Sequence, residues 1–270
     1  MVRLKLKEEI SVPLEIPAAK PDVIVKCSGI SEVERLPVYY GNETAFLGDF
    51  FEVTGRVEDV VFLEGDLKKV KRIGENMSFG TIEVYGDVGM HLAKGMRGGK
   101  VFVHGNVSDW MASGMSGGII RVDGNVGNFA CASYWGERRG VTGGVVFING
   151  SVGDDLGRRM RRGIVLVSGS AGKFAGSEVI AGTIFIMGEV GDGLGAGMKR
   201  GSIVLRHQPE LLPSFLYSGE FKPYFISVYF RYFEDVFSFE LSSVFGKGYF
   251  RRYMGDFLSF GKGEILVCLD

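Results

Sequence analysis

This 270-residue chain has no excess of either charge: 31 Lys and Arg face 32 Asp and Glu, a formal net charge of −1. That balance gives no overall pull toward nucleic acid or an anionic membrane, so neither is an expected partner. No apolar run reaches the length of about 18 residues that a spanning helix needs. The opening MVRLKLKEEISVPLEIP has no apolar signal core, and a cytoplasmic location is expected. Cysteine is scarce: Cys27, Cys131 and Cys268 stand far apart, with no C-x-x-C pair. An odd, scattered set supports no disulfide framework and no zinc or iron–sulfur site, and reads as free thiols, mostly buried. The phosphate loop G-x-x-x-x-G-K-[ST] is missing, and Gly-Asp-Gly-Leu-Gly-Ala-Gly at 191–197 lacks dinucleotide-binding spacing. His91, His104 and His207 are not at metal-ligand spacing and are expected to be solvated at corners. Asp87, Asp154, Asp155 and Asp192 fall after strand segments, where Asp favours turns. No catalytic, cofactor-binding or metal-binding residue is expected on this chain.

Glycine is abundant: 42 residues, spread at a period rather than pooled in a linker. A thirteen-residue pattern, Gly-x-x-Met-x-x-Gly-x-Ile-x-Val-x-Gly, occupies 74–86, 93–105, 112–124, 138–150, 157–169, 176–188 and 195–207. The copies are nineteen residues apart, with one jump of twenty-six between the third and fourth. A fixed period near 20 residues signals a solenoid, each repeat a coil buried by its neighbours. Every copy holds a strand-like segment (TIEVY, KVFVH, IIRVD, VVFIN, IVLVS, TIFIM, SIVLR), and VVFLE before Gly65 fits the same template.

Alternation assigns an inward set: Ile82/Val84, Val101/Val103, Ile120/Val122, Val146/Ile148, Val165/Val167, Ile184/Ile186 and Ile203/Leu205. A second inward ladder runs Met77, Met96, Met115, Val141, Met160, Val179, Met198, as core filling rather than a metal or haem site. The coils are not internally sixfold, and the calcium-binding nonapeptide pattern is missing. The expected fold is therefore all-β: a right-handed parallel β-helix of about seven to eight coils of ~19 residues. An N-terminal β cap over 1–54 precedes the helix at 55–207, and an aromatic-rich extension follows at 208–270. In the cap, VRLKLK and DVIVKC read as short alternating segments, and Gly41-Asn42 as a turn between two apolar runs.

Three features are candidate partner contacts. Outward strand positions become apolar in the last four copies (Phe147, Leu166, Phe185, Val204), a stripe open to another subunit or to the chain's own tail. That tail, 206–270, holds 17 of the 33 aromatics. An insertion around 132–138 carries Tyr134 and Trp135 in a loop that either meets a partner or packs locally. Basic residues cluster at Arg138, Arg139, Arg158, Arg159, Arg161, Arg162, Lys199 and Arg200, as a solvated edge or as a site for an acidic surface or anion.

The repeat resembles the glycine-rich β-helix family that includes the C-terminal domain of the glutamate synthase large subunit and the C subunit of formylmethanofuran dehydrogenase. The flanks LPVYYGNETAFLGDFFEVTG and FRRYMGDFLSFGKGEILV resemble the dehydrogenase C subunit. Departures are confined to core and corner positions, such as Val141 and Val179 for Met and His207 for the closing Gly. The resemblance implies a structural, non-catalytic subunit of an oxidoreductase complex. That complex reduces carbon dioxide with ferredoxin electrons and forms N-formylmethanofuran, the first step of methanogenesis from CO2 or its reverse. It also implies partners: a pterin-metal reductase, an amidohydrolase-type subunit and ferredoxin-like subunits. These would carry the tungsten or molybdenum pterin and the iron–sulfur clusters. The alternatives are the analogous subunit of a non-redox formyltransferase/hydrolase complex and a stand-alone glutamate synthase-type β-helix domain.

Overall fold

A computed structural model describes residues 1–246 and 248–269. The fold is β-rich. Among the described residues, eight strands stack in chain order as parallel neighbours. They are Val60–Glu64, Thr81–Tyr85, Lys100–Val103, Ile119–Val122, Val145–Ile148, Ile164–Val167, Thr183–Ile186 and Arg200–Leu205. The register advances one repeat per step, so Ile82, Val101, Ile120, Val146, Val165, Ile184 and Ile203 lie side by side. Period-two alternation then sends the same sequence position inward in every repeat, and the whole inward set is buried. The Met77 to Met198 ladder is buried with it. Each fully buried aliphatic side chain contributes roughly 1.5–3 kcal/mol.

A second ladder, not anticipated from the sequence, runs down another side of the stack. Leu67, Val88, Val107, Val126, Val152, Ala171 and Val190 form successive parallel bridges. The residue before each carries the ladder outward: Asn106 N donates to Asp87 Oδ1 at 2.8 Å, Asn125 N to Asn106 Oδ1 at 2.8 Å, and Ser151 N to Asn125 Oδ1 at 2.8 Å. A parallel series links Asp109, Asn128, Asp154 and the Lys173 amide at 2.7–2.8 Å. The corner Asp and Asn residues thus bind the next repeat's backbone as well as shaping their own turn.

Distant segments close both ends. Val2–Leu6 adds in parallel to Val60–Glu64, with Phe51–Gly55 antiparallel outside it. At the other end Lys262–Leu269 adds in parallel to Arg200–Leu205, followed by antiparallel Tyr249–Gly255 and Leu216–Phe221. Each segment satisfies a row of backbone groups that an open edge would leave free for pairing with another chain. A smaller sheet joins Glu43–Phe46, Pro37–Tyr40, Leu14–Glu15 and Val70–Lys71, with the hairpin turn at Gly41-Asn42.

The segment DVIVKC is not extended. Pro21–Ile24 is a helical turn. Pro21 at its start fixes φ and removes an amide the helix could not satisfy, and six residues of alternation are too few to override that. The Asp22 carboxylate anchors the turn by accepting the Ser78 amide at 3.0 Å.

The apolar stripe is covered by the chain's own tail. Phe147, Leu166, Phe185 and Val204 are buried under Ile226, Phe233 and Phe237 of the helix Ile226–Phe237 and under Leu241 and Phe245. Phe147 lies 5.2 Å from Phe237 and Phe185 lies 6.1 Å from Phe233, ring to ring. Spacing at i, i+7 and i+11 puts these three residues on one helical face. Ser238, left-handed at φ 53°, ends the helix. The four stripe residues are therefore not a surface that another subunit can meet.

Candidate functional site

The most developed surface feature begins as a backbone column. Arg72, His91, Trp110, Phe129, Asp155 and Phe174 occupy equivalent corners and are all left-handed, with φ between 58° and 65°. Left-handed backbone costs a non-glycine residue roughly 1–2 kcal/mol. Compensation comes from a hydrogen bond to the following repeat at each step: His91 N to Asp109 O at 3.1 Å, Trp110 N to Asn128 O at 2.9 Å, Phe129 N to Asp154 O at 2.8 Å. Side chains on such a column lie above one another, and Trp110 stacks on Phe129 at 4.2 Å with the planes 10° apart.

The insertion folds across this stack. Tyr134 lies at 4.8 Å from Trp110, nearly parallel, and its hydroxyl meets His91 Nδ1 at 2.7 Å. Lys94 sits over the Tyr134 ring. Burial, aided by Lys94, Lys71 and Arg72, lowers the His91 pKa, and burial pushes the Tyr134 phenol up to about 12. A neutral imidazole accepting the phenolic proton fits both directions. His91 is thus half-buried and bonded, not solvated as expected, because the insertion roofs it. Below lies a cavity of about 220 Å³ lined by Glu15, Arg72, His91, Lys94 and Tyr134. Its charges are paired internally, Arg72 to Glu15 at 2.8 Å and to Glu75 at 2.6 Å.

Trp135 does the opposite. It is 67% exposed, edge-on to Phe129, and Arg158 lies 4.0 Å above its ring. Of the two loop aromatics, Tyr134 is committed to local packing and Trp135 is presented to the outside.

The basic cluster divides in the same way. Arg158 and Arg159 both bind Glu178, at 3.1 and 2.8 Å. Burial raises the Glu178 pKa, but hydrogen bonds from Arg159 and Arg158 outweigh it and hold the carboxyl below its usual range. Arg161 and Arg162 instead border an open cavity of about 400 Å³ with Lys199 and Arg200. His104 is hydrogen-bonded to Asp123 at 2.8 Å, and His207 is exposed.

Among the described residues, no group of three or more His, Cys, Asp or Glu side chains converges as a metal site. Cys131 is fully buried and its thiol is pushed up to about 12, so it stays protonated at neutral pH and does not suit a metal. These surfaces carry an exposed indole braced by an arginine, and a cationic rim.

Sequence patterning singles out Tyr134, Trp135 and the arginines but misses the column beneath them. The signal for that column is the nineteen-residue spacing of His91, Trp110 and Phe129.

No family model matches the chain. The C subunit of the tungsten-containing formylmethanofuran dehydrogenase 2 of Methanothermobacter marburgensis is 44% identical over 94 residues, 33% of this chain and 34% of the relative. The C subunit of the molybdenum-containing formylmethanofuran dehydrogenase 1 of Methanosarcina barkeri is 40% identical over 91 residues, 32% of this chain and 30% of the relative. The chain spans about a third of the length of the curated relatives it matches. One solved structure matches almost end to end. It is the formyltransferase/hydrolase complex from Methylorubrum extorquens in complex with methylofuran. A chain of that complex has a TM-score of 0.92 and 33% identity over 99% of this chain and 100% of its own length. On that likeness, the chain belongs to the family of formylmethanofuran dehydrogenase C subunits, together with the matched chain of the formyltransferase/hydrolase complex.

Proposed function

We propose that this chain is a non-catalytic docking subunit of a formylmethanofuran dehydrogenase, built as a right-handed parallel β-helix on which catalytic subunits assemble in the cytoplasm. The observation that carries the reading is full-length similarity to a chain of a multi-subunit formyl-handling complex, joined to local identity with dehydrogenase C subunits of both metal types. The division into a cap at 1–54, a helix at 55–207 and an extension at 208–270 belongs to this proposal. Its support is two stacked ladders per repeat and end strands supplied by both flanks.

In this reading the pterin-bound tungsten or molybdenum, the iron–sulfur clusters and the amidohydrolase-type metal site lie on partner subunits, where they supply carbon dioxide reduction and formyl transfer. This chain fixes the spacing of those partners. A stack held by a backbone ladder at every repeat resists bending, and Trp135 with Arg158 is the projecting contact, since exposed Trp and Arg anchor interfaces when a partner buries them.

A second reading has a specific observation in its favour. The end-to-end match is to a formyltransferase/hydrolase complex, so the chain would serve the analogous non-redox assembly.

Anaerobic affinity purification of the chain from its native cells, with mass spectrometry and metal analysis, tests both. Co-elution with a pterin-type reductase, an amidohydrolase and stoichiometric tungsten or molybdenum supports the dehydrogenase. The same partners without the reductase and metal support the second reading. A chain that elutes alone overturns both.

A further inference from the structure

Five cations gather at the C-terminal end of the stack: Arg161, Arg162, Lys199, Arg200 and Lys262. None forms an ion pair among the described residues, whereas Arg158 and Arg159 one turn away share Glu178. Four of them border the cavity of about 400 Å³, which is floored by Ile180 and Ala181. Arg200 also stands directly opposite Lys262 in the strand ladder. Like charges opposite one another destabilise a sheet. The arrangement is costly for the chain alone and favourable once carboxylates are brought to it.

An apolar tip adjoins this rim. Phe257, Leu258 and Phe260 are 54%, 91% and 61% exposed, and Phe260 lines the cavity itself. The tip is held in place, not trailing. Asp256 is buried and accepts the Gly197 amide at 2.9 Å and the Leu258 amide at 2.8 Å, which ties the loop to the last repeat. Three exposed large apolar side chains on a fixed loop, beside unpaired cations, make a two-part recognition surface.

We propose that this end of the chain docks an acidic polypeptide segment of another protein. Carboxylates would meet Arg161, Arg162, Lys199, Arg200 and Lys262, and an apolar side chain between them would cover Leu258 and Phe260. The cations flank an open trough rather than converge on a point, which suits an extended segment better than a small anion. A second copy of this chain meeting the same face would bring cations against cations. The proposal does not depend on which formyl-handling complex contains the chain, because it concerns the chemistry of whatever segment lies on this end.

The test compares the isolated full chain with the native assembly purified on it. Lysine acetylation by a water-soluble ester is followed by mass spectrometry, and a zero-length carbodiimide then couples lysines to nearby carboxylates. Lys199 and Lys262 should be acetylated about tenfold more slowly in the assembly, while Lys173, 61% exposed on another edge, is unchanged. Carbodiimide should join Lys199 or Lys262 to Asp or Glu of another polypeptide. Arg161→Glu with Arg200→Glu should abolish that cross-link, and Leu258→Ser should weaken it, with the melting curve of the isolated chain unaltered. Equal acetylation in both samples overturns the proposal. So does protection that disappears on nuclease treatment, or protection that inorganic phosphate alone reproduces on the isolated chain. The identities of the co-purified chains come from the same spectra, so failure here is separate from failure of the complex assignment.

Discussion

The terminal methyl of Met77 fills the space that a Cβ on Gly99 would occupy; the two points are 2.6 Å apart. The relationship recurs one repeat at a time: Met96 with Gly118 at 2.7 Å, Met115 with Gly144 at 2.5 Å, Met160 with Gly182 at 2.8 Å, and Met198 with Gly263 at 2.6 Å. Where valine replaces methionine the fit loosens, Val141 to Gly163 at 3.3 Å and Val179 to Gly201 at 3.2 Å. The methionine of one repeat and the glycine before the next strand are thus a single packing unit shared between neighbours.

Gly99→Ala adds a methyl against Met77 and against the backbone, 2.7 Å from the Gly80 carbonyl oxygen, at a residue whose φ is +84°. It should cost about 2–4 kcal/mol, from left-handed strain plus overpacking. Gly163→Ala, facing Val141, should cost about 1 kcal/mol less, because overpacking is smaller there. Urea unfolding of both variants checks this, and Met77→Val combined with Gly99→Ala should be less destabilising than the sum of the two.

The corner ladder accepts either Asp or Asn, as the series Asp109, Asn128, Asp154 shows. Asp154→Asn should be nearly neutral, since its Oδ1 still receives the Lys173 amide. Asp154→Ala should cost about 1 kcal/mol and speed exchange of that amide, as hydrogen exchange would report.

Phe185 sits between the stack and three rings of the tail, Tyr229, Phe233 and Phe245. Phe185→Ala should cost about 3–5 kcal/mol. Amides of Ile226–Phe237 should lose protection before those of the inner strands, because only the tail's contacts are opened.

This tail marks the boundary between what is legible in the sequence and what is not. Inward positions, the methionine ladder and the strand segments are readable because each recurs locally, at period two within a strand and nineteen between strands. The partner of the outward stripe is readable only as a choice between the aromatic tail and another subunit; that the tail covers it, through the helix Ile226–Phe237, emerges only in the folded chain. The strand Val2–Leu6 reads only as part of a cap for the same reason: its pairing with Val60–Glu64 is non-local. DVIVKC misleads because a proline-started turn and a short strand share the same apolar alternation. The Tyr134 to His91 bond depends on the insertion folding back across two repeats, which no local pattern encodes.

His91 carries a pH dependence with a definite sign. Its folded pKa lies below the ordinary value of 6.5, so near and below that value the unfolded chain binds the proton more readily. Stability contributed by neutral His91 is therefore complete above pH 6.5 and declines as pH falls toward the lowered folded value. His91→Asn, which tolerates the left-handed corner, should flatten the fall in melting temperature between neutral and mildly acidic pH. Tyr134→Phe should cost about 0.5–1.5 kcal/mol at neutral pH for the lost hydrogen bond.

The central claim is that this chain organises catalytic partners without doing their chemistry. The most direct measurement is to delete it from its native cells, then purify a partner found with it and assay formyl-forming activity and particle mass together. The account predicts that the partners separate into smaller particles and that assembled activity is lost, while each partner keeps its own metal. A stable, fully active assembly of unchanged partner content, purified without this chain, would contradict it.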